Sequence, residues 1–101
     1  MKVTHLSLAQ ALKRDPSPGN LAAEMAAFGA TEVEFYAPKG SDPQTPHDRD
    51  EFYFVARGSG ILSVAGELFP FSAGDLLFVP AHAVHHFVEF SADFATWVLF
   101  L

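Results

Sequence analysis

From Leu21 onward the chain changes period, and strand-length apolar runs, each closed by a turn signal, make up its body. The runs are "TEVEFYA", "EFYFVAR", "GILSVAG", "LLFVP", "VHHFVEF" and "FATWVLFL"; "GSG", "AGE", "SAGD", "PAH" and "SAD" divide them. Turn signals recurring every roughly 8–12 residues belong to an all-β sandwich or barrel. In "TEVEFYA", period-2 alternation puts Val33 and Phe35 on one face and Glu32, Glu34 and Tyr36 on the other. Other runs are apolar on both faces: Phe52 and Phe54 alternate with Tyr53 and Val55, and Phe94 to Leu101 is almost wholly apolar. Such strands need cover on two sides. A second sheet supplies one cover and a second copy of the chain the other, so a homodimer is expected, two-fold pairing being the commonest assembly.

The first twenty residues are written differently. "SLAQALKR" predicts a short helix, with Ser7 capping the amide of Gln10 while Gln10 reaches back, and with Leu8 and Leu12 as its apolar stripe. "DPSPGN" then breaks the chain. The division is therefore an N-terminal segment over 1–20 laid on a β-barrel over 21–101.

With 101 residues, eleven of them Phe, the chain is one domain with a packed core. No Cys is present, which excludes disulfides, thiolate nucleophiles and Cys-based zinc sites. A net charge of −6 without a Lys/Arg cluster argues against a nucleic-acid partner. The longest apolar run, "FATWVLFL", is strand-sized, so no membrane span is expected. The opening "MKVTHLSLAQALKR" lacks the apolar region of a secretory signal, which makes the cytoplasm the expected location.

The chemistry concentrates in "DPQTPHDRDEFYFVARGSG". On one straight strand, His47 and Glu51 would have Cα atoms about 13 Å apart, too far for one metal at about 2.0–2.2 Å from each ligand. Either the two are unrelated or the chain turns between them. "DRD" is turn chemistry, because Asp side chains bond nearby backbone amides. A turn there lets His47 end one strand and Glu51 begin its neighbour, about 4.8 Å away, with converging side chains.

These residues carry a resemblance. "PHDRDEFYFVARG" resembles the second half of the first cupin motif, G-x5-H-x-H-x3-4-E-x6-G, with His47, Glu51 and Gly58 on its second His, its Glu and its closing Gly. "GDLLFVPAHAVHHFVE" is similar to the second motif, G-x5-P-x-G-x2-H-x3-N, with Gly74, Pro80 and His85 in place. The match runs from residue 40 to about 89. Thr45, or Gln44 with the longer spacer, stands where the first motif has its other His; His82 replaces a Gly and Glu89 an Asn, and Gly40 is one residue off its interval.

The resemblance implies an all-β, antiparallel jelly-roll barrel (a double-stranded β-helix) with a divalent metal held by His47, Glu51 and His85. Gln44, close to His47 in the chain, is the candidate for a further, weak oxygen donor. Two His and one carboxylate with open positions suit Fe(II), and Mn, Zn and Ni are the other candidates. The partner is then a small polar molecule at the barrel mouth. Cupin relatives include dioxygenases, isomerases and lyases, and a non-catalytic binding or sensing module is the alternative.

Tyr53, facing the same way as Glu51, and His82, in the "PAH" turn, are the candidate catalytic groups. His86 points away from His85 and is read as a packed or interface residue. Trp97 is read as core, His5 as surface, and Arg49 as part of a solvated turn.

Overall fold

The computed structural model describes residues 1–101. A short helix α1 (Leu8–Leu12) precedes eight strands: β1 (Ala23–Phe28), β2 (Thr31–Tyr36), β3 (Glu51–Arg57), β4 (Ser59–Val64), β5 (Glu67–Ser72), β6 (Leu76–Val79), β7 (His85–Phe90) and β8 (Ala95–Phe100). All pairings are antiparallel, in a five-stranded sheet ordered β1-β2-β8-β3-β6 and a three-stranded sheet ordered β5-β4-β7. This is the jelly-roll barrel. Six of the eight strands correspond to the apolar runs, and β5 lies in "ELFPFS". β1, "AEMAAF", is an addition that sequence period did not single out.

The capping box on α1 is complete: Gln10 N donates to Ser7 Oγ (3.1 Å) and Ser7 N to Gln10 Oε1 (2.9 Å). The packing face differs from the expected stripe. Leu8 and Leu12 remain exposed, whereas Ala11 is buried against Phe35 and Ala95. A methyl side chain lets the helix approach the outer face of the five-stranded sheet closely. Trp97 lies beside this cluster, edge-on to Phe35 at 5.0 Å.

The main core lies between the sheets. Tyr53, Val55, Val79 and Val98 of the larger sheet meet Leu62, Phe71 and Phe87 of the smaller one, with Phe94 among them. The rings of Phe87 and Phe94 are 4.7 Å apart and those of Tyr53 and Phe87 5.0 Å apart. Along β3 the inward residues run Glu51, Tyr53, Val55, from polar to apolar. The barrel is therefore filled at the Val55 end and carries polar groups at the Glu51 end.

Gly58, the closing Gly of the first motif, has φ +85°, and a Cβ there would lie 2.7 Å from Phe94 Cα. Both the left-handed backbone and the close approach require Gly. His82, where the second motif has Gly, has φ +69°. The turn imposes that backbone, and His tolerates it better than most side chains.

Arg49 is not a solvated turn residue. Its guanidinium donates to Leu101 O (3.0 Å), Phe100 O (3.1 Å) and Ala30 O, and pairs with Glu32. One planar fork with five donors thus ties the end of β8 to the β1–β2 turn.

Candidate metal centre

The three proposed ligands come from three parts of the fold. Glu51 opens β3 in the larger sheet, His85 opens β7 in the smaller one, and His47 lies on the segment between β2 and β3. His47 was expected to end a strand, but residues 37–50 contain none. Pro38, Pro43 and Pro46 remove ladder donors from this stretch, so it cannot continue a sheet. Convergence comes instead from a loop folded over the barrel mouth. The loop is pinned by His82 N to His47 O (2.7 Å), Leu101 N to Asp50 O (3.0 Å) and Ala81 N to Asp50 Oδ1 (2.8 Å).

Asp42 is the hub of this loop. Its carboxylate accepts from Phe87 N (2.7 Å), Gln44 Nε2 (2.6 Å), Gln44 N (3.3 Å) and the Tyr36 hydroxyl. Phe87 belongs to β7, the edge of the three-stranded sheet, so Asp42 satisfies an edge amide. Burial, and then the Asp42 carboxylate, push the Tyr36 hydroxyl well above its usual range and keep it a donor.

One ligand atom from each of His47, Glu51 and His85 lies within 4.8 Å of the others. A divalent ion at about 2.0–2.2 Å from each needs separations of at most about 4.4 Å. The half-exposed His47 ring, 4.0 Å from Glu51 Oε2, needs to move inward by only roughly half an ångström.

The donor chemistry also fits a cation. Glu51 and His85 are almost wholly buried, yet Glu51 Oε2 and His85 Nε2 make no hydrogen bond. His85 Nδ1 lies 2.8 Å from Ala83 O, where only an N–H is accommodated. In the neutral ring Nε2 then carries the lone pair, the form that binds metals. That nitrogen stands 2.7 Å from Glu51 Oε1 without the alignment of an N–H···O bond. Two lone pairs this close in a buried site need a positive charge between or beside them.

Without a metal, a proton on His85 can supply that charge. Burial pushes His85 down, but the Glu51 carboxylate and the Ala83 carbonyl push it up further, so its pKa is raised above 6.5. Proton and metal compete for the same nitrogen. Metal affinity is expected to start falling above pH 6.5 as pH is lowered, approaching tenfold per pH unit below the His85 pKa. Without metal the sign reverses. The His85–Glu51 pair contributes stability that is fully present below pH 6.5 and lost as pH rises through the raised pKa. Calorimetric metal titrations and metal-free melting curves between pH 5.5 and 8.5 measure both; equal affinities at pH 6 and 8 would contradict the competition.

The Tyr53 hydroxyl is 3.2 Å from both Glu51 Oε1 and Gln44 Oε1. Burial first, and then the Glu51 charge, raise its pKa well above 10, so it acts as a donor. Gln44 Oε1 is 3.5 Å from His47 Nε2. Gln44, rather than the exposed Thr45, is therefore the nearer substitute for the absent His. The ring of His82 is exposed and outside the cavity, and only its backbone serves the site. His86 is half-buried, His5 is exposed, and Glu89 is exposed away from the centre.

A cavity of about 380 Å³ opens onto the centre, reaching His47, Glu51, Tyr53, Gln44, Glu34 and Phe100. Gly19 and Asn20 also line it, so the N-terminal segment contributes to its wall. Sequence reasoning missed Asp42, whose only signal was an Asp-Pro turn dipeptide. It also missed Glu34, whose signal was sharing a face with Tyr36.

The profile described as "Cupin domain" matches residues 32–99, more than half of the chain. An uncharacterized protein of Streptomyces coelicolor is 37% identical over 60 residues, which cover 59% of this chain and 57% of that protein. A structure from Rhizobium leguminosarum, described as of unknown function, superposes with a TM-score of 0.72 at 22% identity, covering 99% of this chain and 97% of its own. A cupin superfamily protein from Desulfitobacterium hafniense gives 0.68 at 15% identity, covering 98% and 93%.

Proposed function

The chain belongs to the cupin family, and from that premise we propose that it holds one divalent metal through His47, Glu51 and His85 and acts on a small polar molecule in its cavity. The observation that carries this is the pair of buried, unbonded ligand atoms, Glu51 Oε2 and His85 Nε2, with the His85 tautomer set by Ala83. Fe, Mn, Zn and Ni all accept this ligand set. A bound ion supplies Lewis-acid activation of a carbonyl or carboxylate, or oxygen activation if it is Fe(II).

The chain's own groups do the rest. Tyr53 donates to Glu51 and holds the carboxylate in place, and Gln44 is the additional oxygen donor beside His47. Tyr53 is the candidate to donate to a bound substrate; His82 is the weaker candidate because its ring lies outside the cavity. The reaction falls in the dioxygenase, isomerase or lyase range. The alternative is a non-catalytic binding module, favoured by one fewer His than the first motif provides.

Elemental analysis of the purified protein, with His47→Ala beside it, tests the centre. Near-stoichiometric metal that drops severalfold in the variant is expected. Wild-type protein that stays metal-free after incubation with each ion would overturn the centre.

We assign the outer face of the five-stranded sheet to a second copy of the chain. Phe54, Leu76 and Phe78 are about half exposed there, and register places Phe54 beside Leu76 and Trp97, and Phe52 beside Phe78 and Leu99. Light scattering on wild type is expected to give twice the 11.0 kDa chain mass, with Phe54→Lys/Phe78→Lys monomeric. A monomeric wild type would sink the assignment.

A further inference from the structure

The metal centre occupies one end of the cavity and leaves the opposite wall without a role. There Glu34 and Glu24 stand directly across from one another on β2 and β1. Like charges at facing cross-strand positions destabilise a sheet, and neither carboxylate is in an ion pair, although Arg14 donates to the carbonyl of the exposed Glu24 (2.9 Å). No Lys or Arg lines the cavity. The ion pairs of the chain are His47–Glu51, His85–Glu51 and Arg49–Glu32, and none reaches Glu34. Arg49 is already engaged by Glu32 and three carbonyls. At the other end lies Glu51, 1% exposed, lining the same cavity with Oε2 unbonded. Two separated carboxylate sites thus face one cavity, and the metal answers only one of them.

The floor between them is apolar. Register runs Glu24, Glu34, Val98, Tyr53 across one row of the larger sheet and Glu32, Phe100, Glu51 across the next. Val98 and Phe100, both on β8, therefore separate the acidic wall from the metal centre. β2 and β3 flank β8, so Glu34 and Glu51 are two strand spacings apart, about 10 Å across the sheet.

We infer that the Glu34–Glu24 wall is a cation subsite for the ammonium group of a small ligand whose carboxylate or other oxygen donor lies at His47, Glu51 and His85. A short methylene chain between the two ends rests on Val98 and Phe100. The ligand class is an ω-amino acid or a molecule of the same charge layout. Burial first, then Glu32, Glu24 and Glu51, push the Glu34 carboxyl up from its ordinary value, and Arg49 offsets part of the rise. The negative field around Glu34 attracts an ammonium, and it repels a second carboxylate. The inference rests on the metal-centre reading, which fixes the other end of the ligand.

Calorimetry tests the two separately. Mn(II) and Zn(II) are titrated alone into wild type, Glu34→Gln and Glu34→Lys. The loaded proteins are then titrated with the ω-amino acids from 3-aminopropionate to 6-aminohexanoate, and with butyrate and glutarate. At least one ω-amino acid is expected to bind wild type tenfold or more tighter than butyrate or glutarate. Glu34→Gln is expected to remove that preference and Glu34→Lys to turn it toward glutarate, with both variants still binding metal, more weakly as negative charge is lost. If neither metal binds wild type, the metal centre fails and the inference with it. If metal binds but no ω-amino acid is preferred, or the preference survives Glu34→Gln, the subsite alone is overturned.

Discussion

Glu51→Gln is expected to lower divalent-metal affinity by on the order of 100-fold or more while the metal-free chain still folds. Loss of an outer hydrogen-bond partner of a metal ligand costs roughly 10–100-fold, and here the lost group is the one anionic ligand. The amide keeps the shape of the carboxylate, so Tyr53 and the β3 register retain their packing. It supplies no charge, leaving two imidazoles, one of them half-exposed. The metal-free variant also lacks the carboxylate that holds a proton on His85, so its stability should depend less on pH between 6 and 8 than that of wild type. Metal titration with parallel melting curves decides the matter. A variant that binds metal within tenfold of wild type would show that Glu51 is not a ligand.

Asp42→Ala is expected to destabilise the protein by about 3 kcal/mol, a fall in Tm of roughly 10–20 °C for a chain of this size. Four donors lose their acceptor: the Tyr36 hydroxyl, the Phe87 amide, and the side-chain and backbone N–H groups of Gln44. A buried donor left unpaired costs about 1–3 kcal/mol, and bonds to a charged acceptor are at the stronger end. The effect reaches the metal as well, because Gln44 and His47 are carried on the segment that Asp42 anchors. Asp42→Asn restores one acceptor oxygen but sets an amide N–H against donors, so it should recover only part of the loss. Thermal unfolding and metal titration of both variants test this. An Ala variant melting within about 2 °C of wild type would remove Asp42 from its place as anchor.

What could be read from the sequence follows the range of each interaction. Six strands, β2 to β4 and β6 to β8, were legible because alternation and turn residues are local. β1 was not, since Ala and Met have little preference for strands and "AEMAAF" is extended by its pairing with β2. Glu51 and His85 were legible through motif spacing, and so was His47, although its backbone proved to be loop rather than strand. Asp42 and Arg49 escaped because their partners are remote: Phe87 lies 45 residues from Asp42, and Leu101 lies 52 from Arg49. The chain before Arg49 gives no hint that its guanidinium will close the end of β8. Glu34 showed its face in the alternation, but that this face is the interior became clear only with α1 lying over Phe35 on the other side.

The placement of the candidate ligands has a consequence for chain entropy. Glu51 belongs to one sheet and His85 to the other, and about a third of the sequence lies between them. An ion joining them closes that stretch into a loop. A cross-link closing a few tens of residues lowers the freedom of the unfolded chain by about 3–4 kcal/mol in the polymer picture. A chain that keeps its ion through partial unfolding keeps the starts of β3 and β7 together while the rest loosens. Refolding then begins with a pairing between the two sheets already made.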